Sequence, residues 1–166
     1  TGFIYALATA DKALPAAKNT PLALGPMSFL FRTRFQFDGN PEGASLQFST
    51  VLDDGAVFYL NGQPFYWLGM AEGVIPTREA ASTRTVSDAI LEGPFVVSVT
   101  NLVVGENVLA VEVHQTNPGS SDIVFGMSLD VVEVRRESFT PGYVNSVRAT
   151  LEPFPAVYLN EVLASN

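Results

Sequence analysis

Five consecutive apolar residues, Ala56-Val57-Phe58-Tyr59-Leu60, closed by Asn61-Gly62, constrain this chain more than any other feature. The run has the length of a strand and is apolar on both faces, the pattern of a central strand covered from two sides. Asn-Gly tolerates positive φ at both positions and suits a tight type I′ turn. The chain then returns as a short strand entered through Pro64. A hairpin with a buried first arm needs sheet around it, so the flanking sequence should read as strands.

It does. From residue 28, Phe29, Phe31, Thr33, Phe35 and Phe37 point one way while Ser28, Arg32, Arg34 and Gln36 point the other. After the turn cluster Asp38-Gly39-Asn40-Pro41-Glu42-Gly43, Leu46, Phe48, Thr50 and Leu52 alternate against Ser45, Gln47 and Ser49. Residues 95–100 and 108–115 read as strands, and Ile123, Phe125, Met127, Leu129 and Val131 form a closing inward row. Alternation fades between residues 69 and 94. A helical turn is expected there around residues 87–91, in an excursion that wraps the sandwich or borders a binding surface. At least six strands without a long amphipathic helix predict an all-β fold, an antiparallel β-sandwich of jelly-roll type. Residues 1–26 read as a lead-in with a helix-compatible patch at 6–14 broken by Pro15, residues 27–135 as the sandwich, and residues 136–155, with Pro141, Pro153 and Pro155, as a linker.

Composition sets the outer limits. With 166 residues, 47% hydrophobic and 16% charged, the chain can bury a single core and is not a disordered polymer. No apolar run approaches the roughly 20 residues of a membrane-crossing helix, so no membrane span is expected. A net charge of −8 with only two lysines argues against nucleic acid as a partner. Without cysteine there is no disulfide, thiolate chemistry or cysteine-ligated metal. The chain starts at Thr1 with no basic-then-apolar leader, and reads as a piece of something longer.

Two stretches carry a resemblance. Asp53-Asp54-Gly55-Ala56-Val57-Phe58-Tyr59-Leu60-Asn61-Gly62, answered by Gly105-Glu106-Asn107-Val108-Leu109-Ala110-Val111-Glu112-Val113-His114-Gln115, resembles the paired motifs of galactose-binding-domain-like β-sandwich modules of large secreted bacterial proteins. Residues 156–166, beginning Ala156-Val157-Tyr158-Leu159-Asn160-Glu161, resemble the opening strand of a lamin-tail-like domain, which would place the first residues of a truncated second module there. The resemblance implies an extracellular or cell-surface location and a non-catalytic accessory role. Weak binding of carbohydrate or a cell-surface polymer would go with it, alongside neighbouring domains of the same polypeptide. A purely structural spacer is the alternative, as is an accessory domain of an enzyme whose catalytic domain lies elsewhere. The resemblance further implies a structural calcium ion held by loop carboxylates and carbonyls, with Asp38, Asn40 and Glu42 as candidate ligands.

Chemistry-bearing residues are few. The single histidine, His114, leaves no multi-imidazole zinc site, and no Gly-x-Ser-x-Gly elbow exists to present a serine nucleophile. Glycoside hydrolysis needs two opposed carboxyls, and no pair stands out. Catalytic residues are accordingly expected to be none. Asp53 and Asp54 are placed either to contact calcium or ligand, or to pin loop amides. Glu112 and His114 share a strand face, expected to be the less buried one, where they can meet a ligand or simply each other. In Phe65-Tyr66-Trp67 at least one ring should leave the core if the segment is extended, which makes Tyr66 and Trp67 candidates for a sugar platform or, alternatively, a hydrophobic lid.

Overall fold

A computed structural model describes residue 14 and residues 20–133. The helix-compatible patch at 6–14 (apart from residue 14), the linker at 136–155 and the lamin-tail-like stretch at 156–166 lie outside the described residues. Among the described residues seven strands follow one another: β1 (Ser28–Phe37), β2 (Ser45–Asp53), β3 (Gly55–Leu60), β4 (Gln63–Leu68), β5 (Leu91–Ser98), β6 (Gly105–His114) and β7 (Val124–Val132). They form a four-stranded sheet in the order β1-β6-β3-β4 and a three-stranded sheet in the order β5-β2-β7, with every pairing antiparallel. The two sheets share one core, in which Phe48, Leu52 and Phe125 from one meet Ala56, Phe58, Val111 and Val113 from the other. This is an all-β sandwich, as the alternation predicts.

Between β3 and β4, Asn61 (φ 48°) and Gly62 (φ 82°) both take the positive φ that a two-residue hairpin turn requires. Asn61 does a second job. Its Nδ2 donates to Asn101 O and Asn107 Oδ1, both at 2.8 Å, and its Oδ1 accepts from Val108 N at 2.8 Å. Asn107, fully buried, donates in turn to Val103 O at 2.7 Å. The Asn61-Gly62 and Gly105-Glu106-Asn107 motifs thus lock the hairpin to the loop entering β6.

Two local expectations fail. Residues 87–90 form no helical turn, and β5 begins at Leu91, four residues ahead of the expected strand. Pro94 masks this start in the sequence, but β5 is an edge strand and Pro94 falls outside its paired residues, a position where a sheet tolerates proline. The pairing shifts register between Phe48 and Thr50 of β2 to accommodate the Gly93-Pro94 step.

Candidate functional site

β2 and β3 belong to different sheets and are joined by one residue, Asp54, so Asp53-Asp54-Gly55 is the point where the chain crosses the sandwich. The crossing lies beneath the segment between β4 and β5. Gly55 is required there, because a Cβ would stand 2.6 Å from Ser82 Oγ and 2.8 Å from Gly69 O. Asp54, 2% exposed, spends its carboxylate on loop donors: Oδ1 accepts from Val86 N at 2.7 Å, and Oδ2 from Thr116 N at 2.8 Å and Thr116 Oγ1 at 2.6 Å. Its carbonyl takes Arg84 Nε at 2.7 Å, and Arg84 clasps Glu92 through two bonds of 2.8 and 2.7 Å. Ser82 N donates to Gln115 O at 3.0 Å. The excursion between β4 and β5 is therefore stapled onto the sandwich by the motif residues.

Asp53 is 1% exposed, and no N–H or O–H donor faces either carboxyl oxygen. Burial pushes its carboxyl up to about 8, reinforced by the hydrogen bond and charge of Asp54 and the charge of Asp122, against a smaller downward pull from Arg84. The protonated acid is thus the donor, and Asp54 its acceptor. Burial alone would raise Asp54 as well, but the hydrogen bonds from Asp53, Thr116 and Val86 hold it below the usual carboxylate range. A raised and a lowered carboxyl side by side have the form of an acid–base pair. Here both are sealed under the loop, where a substrate would have to displace the staple.

His114 corrects an expectation. It is fully buried (0% exposed) instead of lying on the more open face, because the β4–β5 excursion covers it. Its Nδ1 sits 2.8 Å from Ala80 O, and its Nε2 is 3.3 Å from Glu112 Oε1 in poor hydrogen-bond alignment. Glu112 itself is less enclosed and receives the Tyr59 hydroxyl on Oε2 at 3.3 Å. Burial, then the Glu112 charge and hydrogen bond, push the Tyr59 phenol up to about 12, so it remains a donor.

The aromatic triplet divides. A register shift after Phe58 leaves Phe65 as the extra residue of β4, so Phe65 and Tyr66 both pack inward. Tyr66 lies 5.2 Å from Phe48 edge-on and 5.0 Å from Phe95, a core ring and no platform. Trp67, opposite Val57, takes the outer face of the four-stranded sheet, half-buried, with its indole N–H held by Val74 O at 2.8 Å.

Among the described residues no three or more carboxylates or imidazoles are arranged around a point. Asp54 is already saturated by donors. In the β1–β2 loop Asn40 Oδ1 accepts Glu42 N at 3.0 Å, a local turn, while Asn40 N donates to Glu133 Oε1 at 2.6 Å. Asp38 in that loop is exposed.

Sequence reasoning does not find Arg84, Ser82 or Thr116, which lie where alternation fades or in a polar loop. Nor does it find Tyr59, whose outward direction follows from strand parity but is hidden by a run apolar on both faces. No protein-family model, curated protein or solved structure matches this chain.

Proposed function

We propose that this chain is a non-catalytic accessory module of a larger extracellular protein, a jelly-roll sandwich of the galactose-binding-like kind that binds glycan or a related cell-surface polymer weakly. Trp67 is the observation that carries the reading. It is the one ring of its triplet turned to the outer face of the sheet, and its indole N–H is fixed by Val74 O, which sets the ring's orientation before any ligand arrives. Sugar C–H faces pack on such a ring. With one or two rings and a few hydrogen bonds, dissociation constants of ~0.1 to 1 mM are expected, with avidity supplied by repeated copies or by neighbouring domains. Retention on insoluble polysaccharides, compared between the native chain and Trp67→Ala, tests it: reduced retention of the variant is expected, and equal retention overturns the reading.

A structural spacer without ligand is favoured by one observation, the commitment of Asp53, Asp54 and His114 to internal contacts. Thermal unfolding in the presence of a sugar panel separates the two, since a spacer shows no shift with any sugar.

A further inference from the structure

Across the outer face of the four-stranded sheet, Arg32 of β1, Ala110 of β6 and Tyr59 of β3 stand in register. Adjacent strands are about 4.8 Å apart, so the Arg32 and Tyr59 backbones flank a gap of about 10 Å floored by a methyl group. The next row runs Leu30, Glu112, Val57, Trp67. Leu30 is 61% exposed and Arg32 is exposed, so the face is open along its β1 edge, while Val57 is fully buried and only the rim of Glu112 is reached.

The polar groups around that floor are unevenly used. Arg34, two residues along β1, is paired with Glu106 at 2.6 Å. Arg32, which is exposed, makes no such pair among the described residues, so its guanidinium donors are unspent there. Glu112 supplies the opposite function, an acceptor-only carboxylate steadied by the Tyr59 hydroxyl. Arg32 and Arg34 against Glu106 and Glu112 leave this face with no net charge, in a chain whose total is −8. A polyanion would be repelled by the whole chain and would meet Glu112 here, whereas a neutral polyol matches both the donor and the acceptor.

We propose that the Arg32–Ala110–Tyr59 row, bordered by Glu112 and Trp67, is a subsite for one pyranose unit of a neutral polysaccharide. The sugar's C–H face lies on the aromatic rings, Arg32 donates to hydroxyl oxygens, and Glu112 accepts from hydroxyl hydrogens. This rests on the glycan-binding reading and adds the ligand class and the residues that select it.

Affinity electrophoresis through gels containing a neutral β-glucan or polygalacturonate tests it with the native chain, Trp67→Ala, Arg32→Ala, Glu112→Gln and Arg34→Ala, each checked for native thermal unfolding. The native chain should be retarded by the glucan and not by polygalacturonate, with a dissociation constant insensitive to added salt. Arg32→Ala and Glu112→Gln should each weaken binding about tenfold, and Arg34→Ala should leave it unchanged. Arg32 is exposed, so its substitution tests the site even if the Glu112 variant unfolds. If Trp67→Ala loses binding while Arg32→Ala and Glu112→Gln bind normally, the glycan reading stands and the subsite is overturned. Stronger retardation by polygalacturonate overturns the neutral class, and no retardation by either polymer overturns the subsite and the glycan reading together.

Discussion

The Asp53–Asp54 crossing and the outer face around Tyr59 and Trp67 draw on the same short list of polar and aromatic residues, yet they stand in opposite states. At the crossing, Asp54 accepts three loop hydrogen bonds and Asp53 is sealed away; on the outer face Arg32 makes no pair among the described residues and Trp67 shows part of its ring. Residues that make the motif recognisable in sequence are there to hold a long excursion in place. Of the groups on the outer face, Arg32 and Trp67 lie outside the motifs, while Tyr59, Ala110 and Glu112 lie within them and reach that face through strand parity.

The largest effect that can break this contrast is Asp54→Ala. It leaves the Val86 and Thr116 amides without their acceptor and the Thr116 hydroxyl with Arg84 O alone, and should cost about 3 kcal/mol or more in urea unfolding. A loss under about 1 kcal/mol would remove the staple from the account.

Next comes the pH dependence. Asp53 in the folded chain titrates near 8, against 3.8 for the ordinary group, so between those values the folded state holds a proton that the unfolded chain has released. Its contribution to stability is complete below about pH 4 and is lost as pH rises toward about 8, by at most about 1.4 kcal/mol per pH unit. Asp54, held below its ordinary value, works the other way: its contribution is present above that value and is lost on acidification. Thermal unfolding as a function of pH should therefore show greater stability in mild acid than at pH 8, and Asp53→Asn should flatten the alkaline side. An unchanged slope in that variant would mean Asp53 is ionised in the fold.

At the opposite turn, Asn61→Ala removes three side-chain hydrogen bonds and places alanine at positive φ, for an expected loss of about 2 kcal/mol in the same unfolding assay. Smallest of all, Arg32→Ala should change stability by no more than about 0.5 kcal/mol, as befits an exposed residue whose side chain holds nothing in place. A larger loss would show that the outer face also braces the fold.

Much of the sandwich was legible because its strands obey period two and face one shared core. Phe48 and Phe125 announce their inward direction, and Asn61-Gly62 announces its turn. His114 was misread for a physical reason: parity correctly puts it on the outer face, but parity cannot foresee that a segment without periodicity folds over that end of the sheet. Arg84 was invisible for the same reason, since its bonds to Asp54 and Glu92 depend on tertiary placement and leave no mark in local pattern. Tyr66 and Trp67 could be separated only by the irregular residue at Phe65, and a strict alternation rule does not include bulges.

Backbone amide shifts recorded by NMR during titration with a soluble neutral oligosaccharide test the division of labour most directly. Perturbations should gather at Arg32, Tyr59, Trp67, Ala110 and Glu112 and leave Asp53, Asp54, Val86 and Thr116 where they were. Shifts centred on Asp53 and Asp54 instead, with the outer face silent, would contradict it.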